Sequence, residues 1–576
     1  MRRLGQAKLF GLLLPLLIAA CAIPASPDVA RRSGAPAPPS TAPKRIVVAI
    51  MGDPPNVFRQ LNAVATVPGA DAVEELMSTG LGDLDPASIL QPRLASDLPT
   101  IENGLWQVFP DGSMQTTWRI RPNAQWHDGV PLTSADFVFT VEVSQDKDQI
   151  MSPHVAFQSI VGVETPDPQT VTVNWKQPYI EADTMFSHIV GLPLPKHLLA
   201  RPFAEDRAGF SELPYWSTEF VGTGPFKLTE FRPGSHILLE ANHAYALGRP
   251  RIDEIDVRIV LDANALMASI LAGAVDLNLG RGLSFEQAMV IREQWKEGRA
   301  DVRYSGLMVG HPQLTNPNPS VLADARFRRA LLYAIDRQRL ADALHAGLVP
   351  VAEVWLGPNE PGFANIESRI VQHPYDPRRA SEILEVLGYR KGADGILRDG
   401  ANARLLVETR SDPADIEQKS MLAVADDWQQ LGVAVEPVVS PVQLFRDREY
   451  GATFSGFRVR RHQSNLAGIL TFHGSRAPIP ENRFTGSNYS RYVNAELDAL
   501  IDRYFTTIPT QDRMDILARA IAHLTEQVVM LPLFYNTEFT LVANRLENAQ
   551  SRKASTGSAQ AWSSYEWDIT QGGRNG

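Results

Sequence analysis

The chain has 576 residues, is 44% hydrophobic and 21% charged, and carries 55 Lys and Arg against 65 Asp and Glu, a net charge of −10. That apolar fraction excludes a disordered or collagen-like polymer, and the length allows two to four cores at roughly 100 to 200 residues per domain. The acidic balance argues against nucleic acid as a partner, since nothing would offset phosphate charge, and a single cysteine excludes a disulfide framework.

Arg2, Arg3 and Lys8 precede the apolar run "LFGLLLPLLIAA". At about a dozen residues the run is too short to span a bilayer and has the form of an export signal, here residues 1–20. It stops at Ile18-Ala19-Ala20-Cys21, the pattern of a bacterial lipobox, so Cys21 is expected to be acylated and to become the mature N-terminus. Residues 22–43 hold six prolines in 22 positions and read as an extended tether. Two or three acyl chains, at about 0.8 kcal/mol per buried CH₂, would hold such a chain on a membrane. Loss of the signal removes three cations and takes the net charge from −10 to −13.

Beyond Pro43 no second membrane segment is expected. "RIVVAI" (45–50) reads as a buried strand, and "TTWRIRP" puts Trp118 and Ile120 on one face of another. "NAQWHDGVPLTSADF" follows, with His127 beside Asp128 and Gly129. Neighbouring residues of an extended chain point to opposite faces, so His127 and Asp128 do not converge on one substrate atom. Asp-Gly signals a tight turn, and Thr133 with Asp136 predicts an approximate capping box at the start of a helix.

"EIDVRIV" alternates Ile255, Val257 and Ile259 against acids and Arg258, a strand signal. "DARFRRALLYAIDRQRLADALHAG" predicts one helix, with Asp324 as N-cap and Gly347 as its stop. "YDPRRASEILEVLGY" predicts a helix capped by Asp376, with Pro377 at its first position and Gly388 at its end. "DIEQKSMLAVADDWQQLG" predicts a third helix closing at Gly432 and feeding a strand at 433–439, with Asp426 and Asp427 on its solvated face. Strand and helix alternate, which predicts α/β architecture.

Signatures of catalysis are missing. Gly222-Thr223-Gly224 begins a G-x-G-x-x-G whose third position is Lys227, and the twelve histidines form no H-E-x-x-H or deaminase pattern. No G-x-S-x-G elbow occurs. The chain is therefore expected not to be an enzyme. His311, His462 and His473 lack a mutual spacing, and no metal is expected at them.

Seven segments resemble, in order, blocks of the family 5 extracellular solute-binding proteins, the peptide, oligopeptide and nickel group that feeds ABC importers. They are "TTWRIRPNAQWHDGVPLTSADFVFT", "GLPLPKHLL", "VGTGPFKLTEFRPGSHILLEAN", "ANALMASILAGAVDLNL", "DARFRRALLYAIDRQRL", "YDPRRASEILEVLGY" and "NAELDALIDRYF". The resemblance implies an α/β, two-lobed periplasmic-binding-protein-like fold with an extra subdomain inserted in lobe one. Lobe one would comprise 44–85, 219–304 and 526–576, the inserted subdomain 86–218, and lobe two 305–525.

The implied function is that of a substrate-binding lipoprotein. It would be a monomer without cofactor, exported to the periplasm or the outer cell face, passing a peptide-like solute to a permease and ATPase complex. A sensor or surface interaction protein on the same fold, binding an anionic or non-peptide ligand, is the alternative reading, and a secreted hydrolase is the third.

Two blocks bear on the ligand. "VETRSDPADIEQ" resembles the segment whose Arg pairs with the ligand carboxylate in dipeptide-binding members, which makes Arg410 a candidate. "FSGFRVRRHQSNLAGIL" aligns with the block whose first Asp binds the peptide amine, but Arg460 stands at that place. Arg458 and Arg460, two apart and on one face if extended, would repel an ammonium group and favour an anionic, N-blocked or non-peptide ligand.

Overall fold

The strand expected at "RIVVAI" forms as Arg45–Met51 and lies inside a mixed sheet that has ten strands among the described residues. The computed structural model describes residues 43–61, 67–146, 154–444, 447–551 and 560–570. The signal, Cys21 and nearly all of the tether lie outside them.

From one edge the sheet runs Ala434–Val439, Leu406–Ser411, Phe457–His462, Gly298–Pro312 and Leu531–Ala543, then Leu277–Asn278, Arg45–Met51, Glu254–Val260, His236–Ala241 and Phe226–Arg232. Its parallel pairs are joined as parallel pairs must be, by long connections. Leu406–Ser411 reaches Ala434–Val439 through the helix Asp415–Leu431, which closes at Gly432. In Glu254–Val260 the residues Ile255, Val257 and Ile259 are buried, and Asp256 between them is held by Arg45 at 3.2 Å and Arg258 at 3.5 Å.

Gly298–Pro312 and Leu531–Ala543 are long antiparallel neighbours that run from one half of the sheet into the other. Their register shifts between Tyr304 and Leu307. Gly306 sits in that bulge at φ +126°, and a Cβ there would lie 2.6 Å from the His462 carbonyl oxygen, so the position requires glycine. Separate cores flank the crossing. One packs Ile46, Val48, Val257 and Trp567, and the others pack Phe327, Leu331 and Trp428, and Trp355, Phe472 and Leu517.

A smaller antiparallel sheet, Trp106–Val108, Met114–Arg119, Thr170–Trp175 and Ile160–Asp167, carries its own core of Trp118, Trp126, Phe137, Trp175 and Phe186. The His127 turn belongs here. Gly129 takes φ +89° and Val130 N–H donates to Asp128 Oδ1 at 3.1 Å. Thr133 N–H donates to Asp136 Oδ2 at 2.9 Å as the helix Ser134–Gln145 begins, the expected box. His127 Nδ1 accepts from Gly222 N–H and Nε2 donates to the Gly224 carbonyl, each at 3.1 Å, which fixes the neutral tautomer. Burial pushes its pKa down to about 4.

Two expectations are corrected. The single helix over 324–347 is two, Ala325–Tyr333 and Arg337–His345. The Asp336 side chain accepts from Arg339 N–H at 3.0 Å and starts the second helix, while the buried Arg337 anchors it to Glu353 at 3.0 Å. Asp427, expected on a solvated face, is buried because it accepts from Asp336 N–H at 3.0 Å and pairs with Arg339 at 2.5 Å. The caps at Asp324 and Asp376 form as expected, on Arg326 N–H and Arg379 N–H.

Candidate functional site

A cavity of about 560 Å³ opens beside Asn536 to Phe539 of the long strand Leu531–Ala543, a size that suits a small organic solute. Its base is Asn536 to Phe539 of the returning strand. One wall is Arg281 to Glu286, and the facing wall joins His345, Asp415, Ile416, Lys419 and Arg461. The lining therefore joins a segment that precedes Gly298–Pro312 in the chain to segments that lie between the two long strands.

Local sequence places each group. Ser284 Oγ accepts from Gln287 N–H and begins the helix Phe285–Gln294, so Phe285 and Glu286 project from its first turn. Phe285 meets the His345 ring edge-on at 5.1 Å across the cavity. Lys419 joins the rims, lying 2.6 Å from Asp415 on its own helix and 3.5 Å from Glu286 opposite.

Of the buried charges that line it, Glu538 is ion-paired and Arg461 is held by a neutral carbonyl. Glu538 accepts from Arg303 at 2.8 Å and lies 3.9 Å from Arg281. Arg461 Nη2 donates to the Ser305 carbonyl at 2.8 Å, at the bulge of the crossing strand. Burial lowers its pKa to about 10, which leaves it cationic at neutral pH. Burial also pushes His345 down to about 4, so this imidazole is neutral. Its Nδ1 lies 3.0 Å from Thr537 Oγ1, and its Nε2 has no hydrogen-bond partner among the described residues. Cations, acids and the apolar surfaces of Leu283, Phe285, Ile416 and Phe539 together suit a solute bearing both charged and apolar groups.

The arginines singled out from sequence stand elsewhere. Arg458 and Arg460 do share a face, and both reach Asp412, but they line a different cavity. Arg410 lines neither cavity: it pairs with Glu408 at 2.9 Å, donates to the Tyr450 carbonyl and stacks 4.4 Å over the Tyr450 ring. Arg461, one position beyond the pair considered, is the guanidinium of this strand that lines the 560 Å³ cavity. The alternation of the strand was the signal for it.

Sequence reasoning also missed a buried group of potential metal ligands. Glu75, Asp83 and His188 bring their donor atoms within 4.8 Å of one another, with His188 Nδ1 at 3.8 Å from Asp83 Oδ2. His188 is more than a hundred residues from Glu75 and Asp83, and no spacing motif announces the group.

The model for bacterial extracellular solute-binding proteins, family 5, matches residues 90–466. A protein of Brucella ovis assigned as an ABC transporter peptide-binding protein is 29% identical over 294 residues, 50% of this chain and 51% of that one. The match to such first relatives thus spans about half their length. The oligopeptide-binding protein AppA of Bacillus subtilis is 24% identical over 471 residues, 79% of each chain. Its structure with a nonapeptide aligns at TM-score 0.66 and 19% identity, over 92% of this chain and 100% of that one. NikZ of Campylobacter jejuni, in complex with Ni(L-His), aligns at TM-score 0.68 and 20% identity, over 91% and 100%. These likenesses show a two-lobed fold of the periplasmic-binding type. With the family model matching most of its length, this chain belongs to the family 5 bacterial extracellular solute-binding proteins.

Proposed function

We propose that the protein is the substrate-binding lipoprotein of an ABC importer and captures a peptide-like solute in the cleft at the strand crossing. The observation that carries this reading is the 560 Å³ cavity whose lining joins Arg281 to Glu286, before the long strand Gly298–Pro312, to His345, Asp415, Lys419 and Arg461, which lie between the two long strands in the chain. A solute touching both walls binds the closed form better than the open one and shifts the population toward it. In this reading residues 44–85, 219–304 and 526–576 act as one lobe and 305–525 as the other. Cys21 carries the lipid that keeps the protein at the membrane, beside its permease and ATPase.

The fold leaves the ligand open, since its relatives include a protein solved with a nonapeptide and one solved with a nickel chelate. Peptide is favoured by the mixture of cations, acids and apolar surface around the cavity. Capture rather than turnover is favoured by the His345 and Thr537 pair, whose imidazole has, among the described residues, no orienting third group of the kind a nucleophile's base uses. Among the described residues no helix is long and apolar enough to cross a membrane.

Native mass spectrometry of freshly purified protein tests the reading. Expected is a bound solute of peptide mass, released on denaturation, whose return shrinks the radius of gyration in solution scattering. A protein that co-purifies with nothing and neither binds nor compacts with a peptide mixture would sink it. Incorporation of labelled fatty acid, abolished in Cys21→Ala, tests the anchor.

A further inference from the structure

We propose that Glu75, Asp83 and His188 hold a divalent transition-metal ion that joins the helix Ala70–Met77 and the strand Gly82–Leu84 to the loop around His188. All three side chains are buried, and one donor atom from each lies within 4.8 Å of the other two. His188 Nδ1 stands 3.8 Å from Asp83 Oδ2, too far for a hydrogen bond between them. Two ligand atoms bound to one ion at about 2.1 Å stand roughly 3.4 Å apart in a tetrahedron, so a contraction of about half an ångström gives this pair ligand spacing.

The backbone that carries these donors is held in place. A Cβ on Gly80 would lie 2.1 Å from the Phe186 carbonyl oxygen, so glycine is what lets the two segments approach. Leu81 N–H donates to that same carbonyl at 2.8 Å. Both chain neighbours of His188 are fixed together, since Ser187 Oγ donates to the Thr184 carbonyl and accepts from Ile189 N–H at 3.1 Å. Asp83 Oδ1 accepts from Leu84 N–H at 2.8 Å, which orients the carboxylate with Oδ2 on the His188 side. Ala72, Val73, Leu76 and Met77 of the helix pack in the core that holds Ile46 and Val48, whereas Leu81 and Phe186 belong to the core of the smaller sheet. The three donors sit where these two cores meet.

The donor set selects the ion. Two carboxylates brought together away from water repel each other; a shared proton neutralises one of them, and a divalent cation neutralises both. One imidazole nitrogen beside two carboxylate oxygens suits Zn²⁺ or a neighbouring first-row ion, whereas Mg²⁺ and Ca²⁺ take oxygen sets. A fourth position would be filled by water or by a second oxygen of one carboxylate. None of the three residues lines the 560 Å³ cavity, so the ion is structural, a clip between two cores, and separate from the solute.

Elemental analysis of the full-length protein, purified without a metal-affinity step or chelator, tests the assignment. About one Zn²⁺ or other first-row ion per chain should be retained, or be taken up from added Zn²⁺ after stripping with dipicolinate, and its return should raise the thermal midpoint. His188→Gln and Asp83→Asn should each weaken Zn²⁺ binding about tenfold or more, while His243→Gln, at an exposed position, should leave it unchanged. X-ray absorption of the loaded parent protein needs no variant to fold, and one imidazole among nitrogen and oxygen ligands, without sulfur, is expected. Overturning results are no ion before or after loading, affinity unchanged in both ligand variants, or two or more imidazoles on the ion. A loss that follows Arg461→Met while His188→Gln binds normally would put the ion in the cleft and overturn the assignment as well. None of these outcomes bears on whether a peptide occupies the cleft, so the two readings fail separately.

Discussion

Arg303 and Glu538 stand directly opposite each other on the two long strands, and the guanidinium donates to the carboxylate at 2.8 Å with both side chains nearly buried. Arg281 also approaches the same carboxylate, at 3.9 Å. Removing one member of a buried pair leaves the other charge unmatched, which costs about 3 to 5 kcal/mol. Glu538→Ala is therefore expected to be strongly destabilising, read as a lower midpoint in urea unfolding. A midpoint within error of the parent protein would show that the pair does not hold the crossing.

Acid should weaken the protein through its neutral histidines. His127, His345 and His462 are each pushed by burial from an ordinary 6.5 to about 4. The unfolded chain takes up their protons first, so the stability they contribute is complete above pH 6.5 and is lost as pH falls toward 4. His127→Gln should flatten the stability curve over that window while lowering stability at pH 7, measured by urea unfolding at a series of pH values. An unchanged slope between the two pH limits would contradict the buried neutral tautomer.

Glu74 acts with the opposite sign. Burial raises its carboxyl from 4.5 to about 7. A group whose folded pKa is raised contributes stability below its unfolded pKa, and this is lost as pH rises through the folded value. Glu74→Gln keeps an acceptor for the Arg59 N–H, bonded at 3.2 Å, and removes the ionisation. The variant is expected to gain stability over the parent above pH 7 and to lose that advantage near pH 4.5, read from thermal midpoints.

Gly306→Ala places a side chain at φ +126° and against the His462 carbonyl oxygen. Strain of this kind costs about 1 to 3 kcal/mol, and the clash adds to it. The bulge also presents the Ser305 carbonyl to Arg461, so solute affinity in the cleft should fall along with stability. Calorimetry of the purified variant with the co-purified solute checks the second effect.

Arg461→Met tests the cleft directly. It removes the cation of the Phe457–His462 strand that lines the cavity and should weaken the co-purified solute about tenfold or more. Arg410→Met, whose guanidinium is committed to Glu408 and Tyr450, should bind that solute normally.

Much of the scaffold was legible because it rests on local rules. Asp376, Pro377 and Gly388 bound a helix by capping chemistry, and Ile255, Val257 and Ile259 mark a strand by alternation. Asp336 was not legible as a break, because an Asp inside an amphipathic stretch reads as a solvated face until Asp427 and Arg339 are brought against it. The site was harder still. The shared face of Arg458 and Arg460 follows from their spacing, but which cavity each face lines depends on the neighbouring strands: Arg458 and Arg460 line one and Arg461 the other. Glu75, Asp83 and His188 meet only through tertiary folding.

The pairing of Gly298–Pro312 with Leu531–Ala543 along the crossing has a mechanical meaning. Two separate threads between bodies would allow swinging, sliding and rotation independently, whereas a hydrogen-bonded ribbon resists sliding and yields by twist and flexure. The ladder is already interrupted at the Gly306 bulge and again between Met308 and Val309, and flexure is easiest over that stretch. Opening and closing would then follow one coordinate, so a fluorescent pair placed across the cavity rim should relax in a single exponential after rapid mixing with solute.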